Sequence, residues 1–233
     1  MNIHSAGPRR QFEPGSAAER RLPAELVNLA RLQDSITSRS VYALFKRVLD
    51  VAVVLTASPA VLLITGASAL LILMYMGRPI FFVQSRVGRS GHVFKMLKLR
   101  TMRVAAVSTS TATAKNDPRI TSLGKFLRLS HLDELPQLWN ILLGHMTLIG
   151  PRPEQPELVA RYAELIPNYE LRHLVTPGLS GWAQVHFGYA ADVDETRVKL
   201  EHDLFYIQHF GPGMDLSILV RTILVYSNPV YVR

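Results

Sequence analysis

The longest uninterrupted pattern in the chain is apolar. From Val51 to Gly77 the run VAVVLTASPAVLLITGASALLILMYMG carries no charged side chain. As a helix rising about 1.5 Å per residue it spans roughly 40 Å, more than the about 30 Å of a bilayer's hydrocarbon core. It is too long, and too far from the N-terminus, for a signal peptide. Soluble core helices rarely run this far without a charge. The pattern predicts a membrane segment. Past it, PIFFVQSRVGRSGHVFKMLKLRTM predicts two strands around a Gly88-Arg89-Ser90-Gly91 turn. Helical spacing returns at 121–129, 132–143 (stopped by Gly144), 155–174, 193–209 and 214–227. The last of these, MDLSILVRTILVYS, suits packing on the core or grazing a membrane. Residues 1–40, with Pro8, Pro14, Gly15 and Pro23 among mixed charges, predict a flexible extension with a short amphipathic helix at 24–33. The Ser/Thr/Ala-rich run AAVSTSTATAKNDPR predicts a mobile loop.

Inside the apolar run sits Ser58-Pro59. Proline removes an amide donor and crowds the carbonyl four residues back, so carbonyls near residues 54–55 need another partner, which the Ser58 hydroxyl can supply. Lys46 and Arg47 precede the run; Arg78, Arg86, Arg89, Lys95, Lys98, Arg100 and Arg103 follow it. A single crossing concentrates Lys and Arg on one side, whereas here both flanks are positive. Those facts suit a re-entrant helix–break–helix, 41–58 in and 60–77 back. A kinked spanning helix is the alternative.

Charge sharpens the picture. The chain is 48% hydrophobic and 19% charged with net charge +8, and that charge is uneven: residues 41–130 carry net +11 and residues 131–233 net −5. A cationic middle points to phosphates, on a membrane surface or on nucleic acid. Zero cysteines exclude disulfides, thiolate metal sites and a cysteine nucleophile. No HExxH, Walker A or GxGxxG pattern is present.

Asp133-Glu134 stands out as a candidate for chemistry. The ordinary reading is helix capping, with Ser130-x-x-Asp133 as a capping box. Arg128 upstream and Arg152 in Gly150-Pro151-Arg152-Pro153 weigh against that. A carboxylate among arginines at a helix start should be ionised. Facing a phosphate, it becomes a nucleophile of the aspartyl-phosphate type. Arg152 either bridges to a carboxylate or offers a rigidly mounted phosphate contact. Trp139 and Trp182 suit a core or a membrane interface.

In order and spacing, several blocks resemble the bacterial sugar transferase family of monotopic polyprenyl-phosphate phosphoglycosyl transferases, over about residues 41 to 226. They are Lys46-Arg47-x-x-Asp50, Ser58-Pro59, Val83-Gln84-x-Arg86-x-Gly88, Phe94-x-x-x-Lys98-Leu99-Arg100-Thr101-Met102 and Asn116-Asp117-Pro118-Arg119-Ile120-Thr121. Further along come Leu132-Asp133-Glu134-Leu135-Pro136-Gln137-Leu138-x-Asn140, Gly150-Pro151-Arg152-Pro153 and Pro177-Gly178-x-x-Gly181-Trp182-Ala183-Gln184-Val185.

The resemblance implies a mainly helical α+β fold. A re-entrant membrane helix at 41–77, broken at Ser58 and Pro59, would precede a compact cytoplasmic domain over 78–233 with a β-hairpin and membrane-interface helices. It further implies transfer of a sugar-1-phosphate from a UDP-sugar to undecaprenyl phosphate at the cytoplasmic face of a bacterial inner membrane, the first membrane step of an exopolysaccharide, O-antigen or capsule. Asp133 would be the nucleophile and first ligand of Mg²⁺, with an aspartyl-phosphosugar intermediate and UMP released. Glu134 would position the site, bind metal or manage a proton, and Lys98, Arg128 and Arg152 would bind phosphate. Membrane lipid is the further partner, nucleic acid is not expected, and a homodimer is left open. His131, His145 and the His186-Phe187-Gly188-Tyr189 segment depart from the family pattern, and the last bears on sugar choice. Competing readings are a glycosyltransferase releasing UDP, and a membrane-anchored scaffold or nucleic-acid-binding protein using the basic block.

Overall fold

The computed structural model describes residues 27–103, 117–187 and 192–227. The loop expected after Arg103, most of the N-terminal extension and Gly188-Tyr189 lie outside those residues. The short helix expected at 24–33 within the N-terminal extension overlaps the observed helix α1 (Leu29–Ser38), which begins later and runs further. The Asn28 side chain caps it by accepting from the amides of Ala30 and Arg31, and Leu32 buries itself in the main core.

Helix α2 (Ser40–Met76) is one continuous helix of 37 residues with Pro59 inside it. This corrects the expected pair of helices parted at Ser58-Pro59. The carbonyl that Pro59 deprives of its amide partner is that of Leu55, and the Ser58 hydroxyl donates to it at 2.7 Å. Helical conformation therefore persists through the proline. Along the helix Asp50, Val54, Ser68 and Ile72 are buried, while Leu44, Leu55, Leu62, Leu63 and Met74 are exposed. The helix is long and apolar enough to cross a membrane. Both ends are tied to the same folded body. Near its start Arg47 donates to the carbonyls of Ile141 and Leu142, and Asp50 accepts from the Thr147 hydroxyl. At its end Arg100 donates to the carbonyls of Met76 and Gly77, each at 2.7 Å.

Strands β1 (Phe81–Val87) and β2 (Val93–Leu99) pair antiparallel, Phe81 opposite Leu99 and Val87 opposite Val93. After helix α3 (Ser122–Leu129) comes a 3₁₀ turn at Leu132–Glu134, then helix α4 (Gln137–Leu142). The helix expected over 132–143 is thus split. His131, at φ 56°, re-aims the chain into the turn, and α4 starts only after Pro136. The Asn140 side chain clamps α4 to β2, donating to Lys95 O at 2.8 Å and accepting from the Leu97 amide at 3.1 Å.

Strand β3 (Thr147–Ile149) runs parallel to β4 (Gly178–Ser180). The contact is too close for side chains: a Cβ on Gly178 would lie 2.1 Å from the Gly150 nitrogen, and one on Gly181 2.3 Å from the Gly150 oxygen. The helix expected over 155–174 is also split, into helix α5 (Pro156–Leu165) and a 3₁₀ segment at Tyr169–Leu174. Ile166 precedes Pro167 and is extended, as a residue before proline prefers. Helices α6 (Trp182–His186), α7 (Val193–His209) and α8 (Pro212–Ser227) complete the order.

The main core joins Leu32 of α1, Ile149, Tyr169, Trp182, Leu200, Leu204 and Ile207 of α7, and Ile218 of α8. A second cluster holds Val54, Phe94, Met96 and Ile141; a third holds Ile72, Leu99 and Leu127. Helix α2 contributes to both of these. Leu132 packs on the third and Leu138 on the second, which leaves Asp133 and Glu134 between two apolar anchors.

If Ser58 replaces the amide missing at Pro59, Ser58→Ala should cost about 1 kcal/mol, while Ser58→Ala placed on Pro59→Ala, where the amide returns, should cost almost nothing. Thermal unfolding of the two single variants and the double variant checks this. Additive losses would show that the Ser58 bond is incidental.

Candidate active site

The loop between β3 and α5 is fixed from both sides before any ligand is considered. Gly150 donates to Ser180 O at 2.8 Å, Gly178 donates to Pro151 O at 2.9 Å, Arg172 donates to Arg152 O at 2.9 Å and Arg86 donates to Pro153 O at 2.9 Å. Behind it Arg172 pairs with Asp203 at 2.7 Å and with the Tyr169 hydroxyl at 2.8 Å, all three side chains buried. Glu154 pairs with Lys199 at 2.5 Å and with Arg86 at 3.5 Å. With its backbone held this way, the loop aims Arg152 at the dyad.

Glu134 receives it. Its carboxylate accepts from Arg152 at 2.5 Å and from Lys98 of β2 at 2.6 Å. Burial alone would raise the Glu134 carboxyl, but Arg152 and Lys98 outweigh burial and hold it well below the usual carboxylate range. Asp133 beside it is in the opposite position. It is buried, 8% exposed, and makes no hydrogen bond among the described residues. Burial pushes its carboxyl up to about 6, against the pull of Lys98 and with the repulsion of Glu134 added. Desolvation thus exceeds the attraction of the nearby cations, and the Asp133 carboxyl stays mostly ionised at neutral pH but closer to its titration range than a free carboxylate. Ser130 does not form the capping box, because its hydroxyl turns back to the carbonyls of Phe126 and Leu127 at the end of α3. Asp133 therefore carries no capping role.

Of the residues singled out by sequence, Asp133, Glu134, Lys98 and Arg152 converge. Arg128 stands at their edge, its Nε donating to the Thr101 hydroxyl at 2.8 Å and its charge acting on Asp133. Ser58 and Pro59 belong to α2, which also packs against the 3₁₀ turn carrying the dyad. Trp182 is core, whereas Trp139 is 58% exposed. Sequence reasoning did not single out Arg172, Asp203 or Asn140 as the supports of the site. It quoted Gln137 in a motif block but gave it no role; one helical turn beyond Asp133, it is fully buried with both side-chain amide atoms unpartnered. Nothing in the local spacing marks a polar side chain as buried; only the fold does.

Among the described residues no three His, Asp or Glu side chains gather as a cation cage. The donor set is one open carboxylate, Asp133, since both Glu134 oxygens face cations. That suits a hard cation that keeps most of its waters and takes its remaining ligands from a substrate's phosphates, which is how Mg²⁺ binds.

Residues 41–228 match the family model described as "Bacterial sugar transferase". The chain is 42% identical over 190 residues to the UDP-N-acetylgalactosamine-undecaprenyl-phosphate N-acetylgalactosaminephosphotransferase of Aeromonas hydrophila, covering 81% of this chain and 45% of that protein. It is 44% identical over 149 residues to the UDP-glucose:undecaprenyl-phosphate glucose-1-phosphate transferase of Xanthomonas campestris pv. campestris, covering 62% and 31%. A protein of the same name from Caulobacter vibrioides is 42% identical over 183 residues, covering 76% and 68%. The matches thus span less than half the length of the first two relatives and about two thirds of the third.

Because the Asp133 pKa is raised on folding, its contribution to stability is favourable at low pH and is lost as pH rises from about 3.8 to about 6. Asp133→Asn removes that loss. In metal-free buffer the variant should come close to the parent near pH 4 and exceed it at pH 8 by roughly 3 kcal/mol. Thermal melts across pH test this; an Asn variant less stable than the parent at pH 8 would mean that the Asp133 charge is compensated in the fold.

Proposed function

The chain belongs to the bacterial sugar transferase family, and from that premise we propose that it transfers a sugar-1-phosphate from a UDP-sugar to undecaprenyl phosphate. The observation that carries this reading is the divided dyad, with Glu134 held between Lys98 and Arg152 and Asp133 left open beside it. A carboxylate without a hydrogen-bond partner, next to cations it does not directly engage, is an oxygen nucleophile placed where phosphate charge is neutralised.

In the first half-reaction an Asp133 carboxylate oxygen bonds to the sugar-linked phosphorus. The bond from that phosphorus to the oxygen bridging the two phosphates breaks, and UMP leaves with the electron pair. In the second, an oxygen of undecaprenyl phosphate bonds to the same phosphorus and the Asp133–phosphorus bond breaks, giving undecaprenyl-diphospho-sugar and restoring the carboxylate. Lys98 and Arg152 are shared between Glu134 and the phosphates. The terminal guanidinium nitrogens of Arg128, which make no hydrogen bond among the described residues, add a third contact. Mg²⁺ held by Asp133 would supply further neutralisation of the diphosphate. Glu134 positions the two cations and stays ionised throughout.

The same reading places the chain at the cytoplasmic face of the inner membrane with α2 as a re-entrant segment. Support comes from the two anchors of α2: Arg47 on the carbonyls of α4 and Arg100 on the carbonyls at the end of α2 belong to one folded body, which lies on one side of a bilayer. The exposed apolar residues Leu216, Leu219, Val220, Ile223 and Leu224 of α8 suit the membrane interface. The relatives' names include both N-acetylgalactosamine and glucose, so the sugar is to be found by trial.

The test is the nucleotide released. Detergent-solubilised protein with Mg²⁺, undecaprenyl phosphate and a panel of UDP-sugars should yield UMP that depends on the lipid. Asp133→Asn should abolish it, and Arg152→Ala should lower kcat/KM for the UDP-sugar by about 100-fold, the scale of losing one charge-assisted contact to a transferring phosphoryl group. Release of UDP would make the protein a glycosyltransferase and remove the role assigned to Asp133.

A further inference from the structure

A second cationic concavity lies away from the Glu134 pairs, where α2 leaves its apolar run. It encloses about 490 Å³, and its walls include Tyr75, Arg78, Arg100, Arg103, Thr121 and Ser122. Among the described residues three arginines line it, and none of the lining residues is acidic. The side chains of Arg78 and Arg103 are exposed, and their guanidinium groups form no hydrogen bond or ion pair among the described residues. Arg100 is buried, 7% exposed, and spends its terminal nitrogens on the carbonyls of Met76, Gly77 and Arg78. Its Nε is buried with no partner. Thr121 and Ser122 bring the first turn of α3, where helix amides lack intrahelical acceptors. Three guanidinium groups around one space repel each other unless an anion joins them.

The position of the cavity narrows the choice of anion. Met74 and Tyr75, at the end of α2, are 71% and 75% exposed, so the cavity opens beside the end of the apolar surface of α2, where a membrane-inserted helix would meet lipid phosphates. From its floor the chain passes from Arg100 to Thr101, whose hydroxyl accepts from Arg128, and Arg128 acts electrostatically on Asp133. We propose that this cavity, framed by Arg78, Arg100 and Arg103, is a binding site for a phosphate carried on a membrane lipid. Two lipids share that chemistry: the polyprenyl phosphate acceptor, whose relevance rests on the proposed reaction, and an anionic phospholipid, whose relevance does not.

Binding without turnover separates this proposal from the reaction. The purified full chain in neutral detergent is titrated with undecaprenyl phosphate, phosphatidylglycerol, phosphatidylcholine or inorganic phosphate, and retained ligand is counted by native mass spectrometry. The parent should retain at least one of the two anionic lipids in preference to phosphatidylcholine. Arg78→Gln with Arg103→Gln, two exposed positions, should weaken that retention about tenfold, and Arg78→Lys with Arg103→Lys should recover part of it. Loss confined to undecaprenyl phosphate makes the cavity an acceptor site; loss confined to phosphatidylglycerol makes it an anionic-lipid site. Undiminished retention in the double Gln variant, equal loss for phosphatidylcholine, or an effect on inorganic phosphate alone would each overturn the proposal. Failure of the reaction would instead appear as absent UMP with lipid retention intact.

Discussion

One buried carboxylate holds the candidate site in register. Glu134 reaches Lys98 on β2 and Arg152 on the loop after β3, joining three segments that lie far apart in sequence. Burying three charges is costly, and such a cluster survives only when geometry and hydrogen bonding compensate. Here two cations share one anion, so a positive charge remains after Glu134 is satisfied. That residue of charge is what a phosphate needs. Replacing Glu134 by an apolar group would leave Lys98 and Arg152 repelling each other across the same space, and removing either cation would leave Glu134 buried beside the ionisable Asp133.

The neighbouring carboxylates illustrate how environment divides labour. Asp133 and Glu134 are adjacent in sequence, yet Glu134 is held strongly acidic while Asp133 is raised to about 6. Two groups of the same chemistry separated in this way take different roles. Glu134 is a fixed charge. Asp133 is poised between states, and it gains most from an approaching cation or from phosphate-bound metal. The supporting ion pairs one layer back, Arg172 with Asp203 and Glu154 with Lys199 and Arg86, spend their hydrogen bonds on the orientation of the Arg152 loop. Their value lies in holding Arg152 in one place, since buried pairs add little net stability over well-packed apolar residues.

The parts of this arrangement that were legible in sequence are those written in local pattern. The apolar run, the strand pair around Gly88–Gly91, α3 and α7 follow from periodicity and turn residues. The motif blocks marked Lys98, Asp133, Glu134 and Arg152 before any geometry. What stayed hidden depends on contacts between distant segments. The turn at Leu132–Glu134 looks like a helix start, because its acidic residues and the nearby serine satisfy the capping pattern. Only the fold shows Ser130 engaged with α3 and Asp133 desolvated. Asn140 reads as an ordinary helix residue until β2 lies alongside and takes both ends of its amide. α1 was misplaced because Leu32 has no reason to be buried until α7 packs over it.

The proline in α2 was the opposite kind of error, a strong local signal overruled locally. Proline inside a helix normally leaves a carbonyl unpaired, and in lipid no water can take its place. Here the preceding serine makes the compensating bond to Leu55, so the interruption expected in the backbone is absorbed without leaving the helical region. A hydroxyl bond is less directional than the amide it replaces, and Pro59 still imposes its steric demand on the turn before it. The helix is therefore most easily bent at this point without exposing an unpaired polar group to lipid. A helix anchored at both ends to one domain needs such a point. Ser58-Pro59 supplies it between Val54, which packs with Phe94 and Met96, and Ile72, which packs with Leu99 and Leu127, on either side of the turn that carries Asp133.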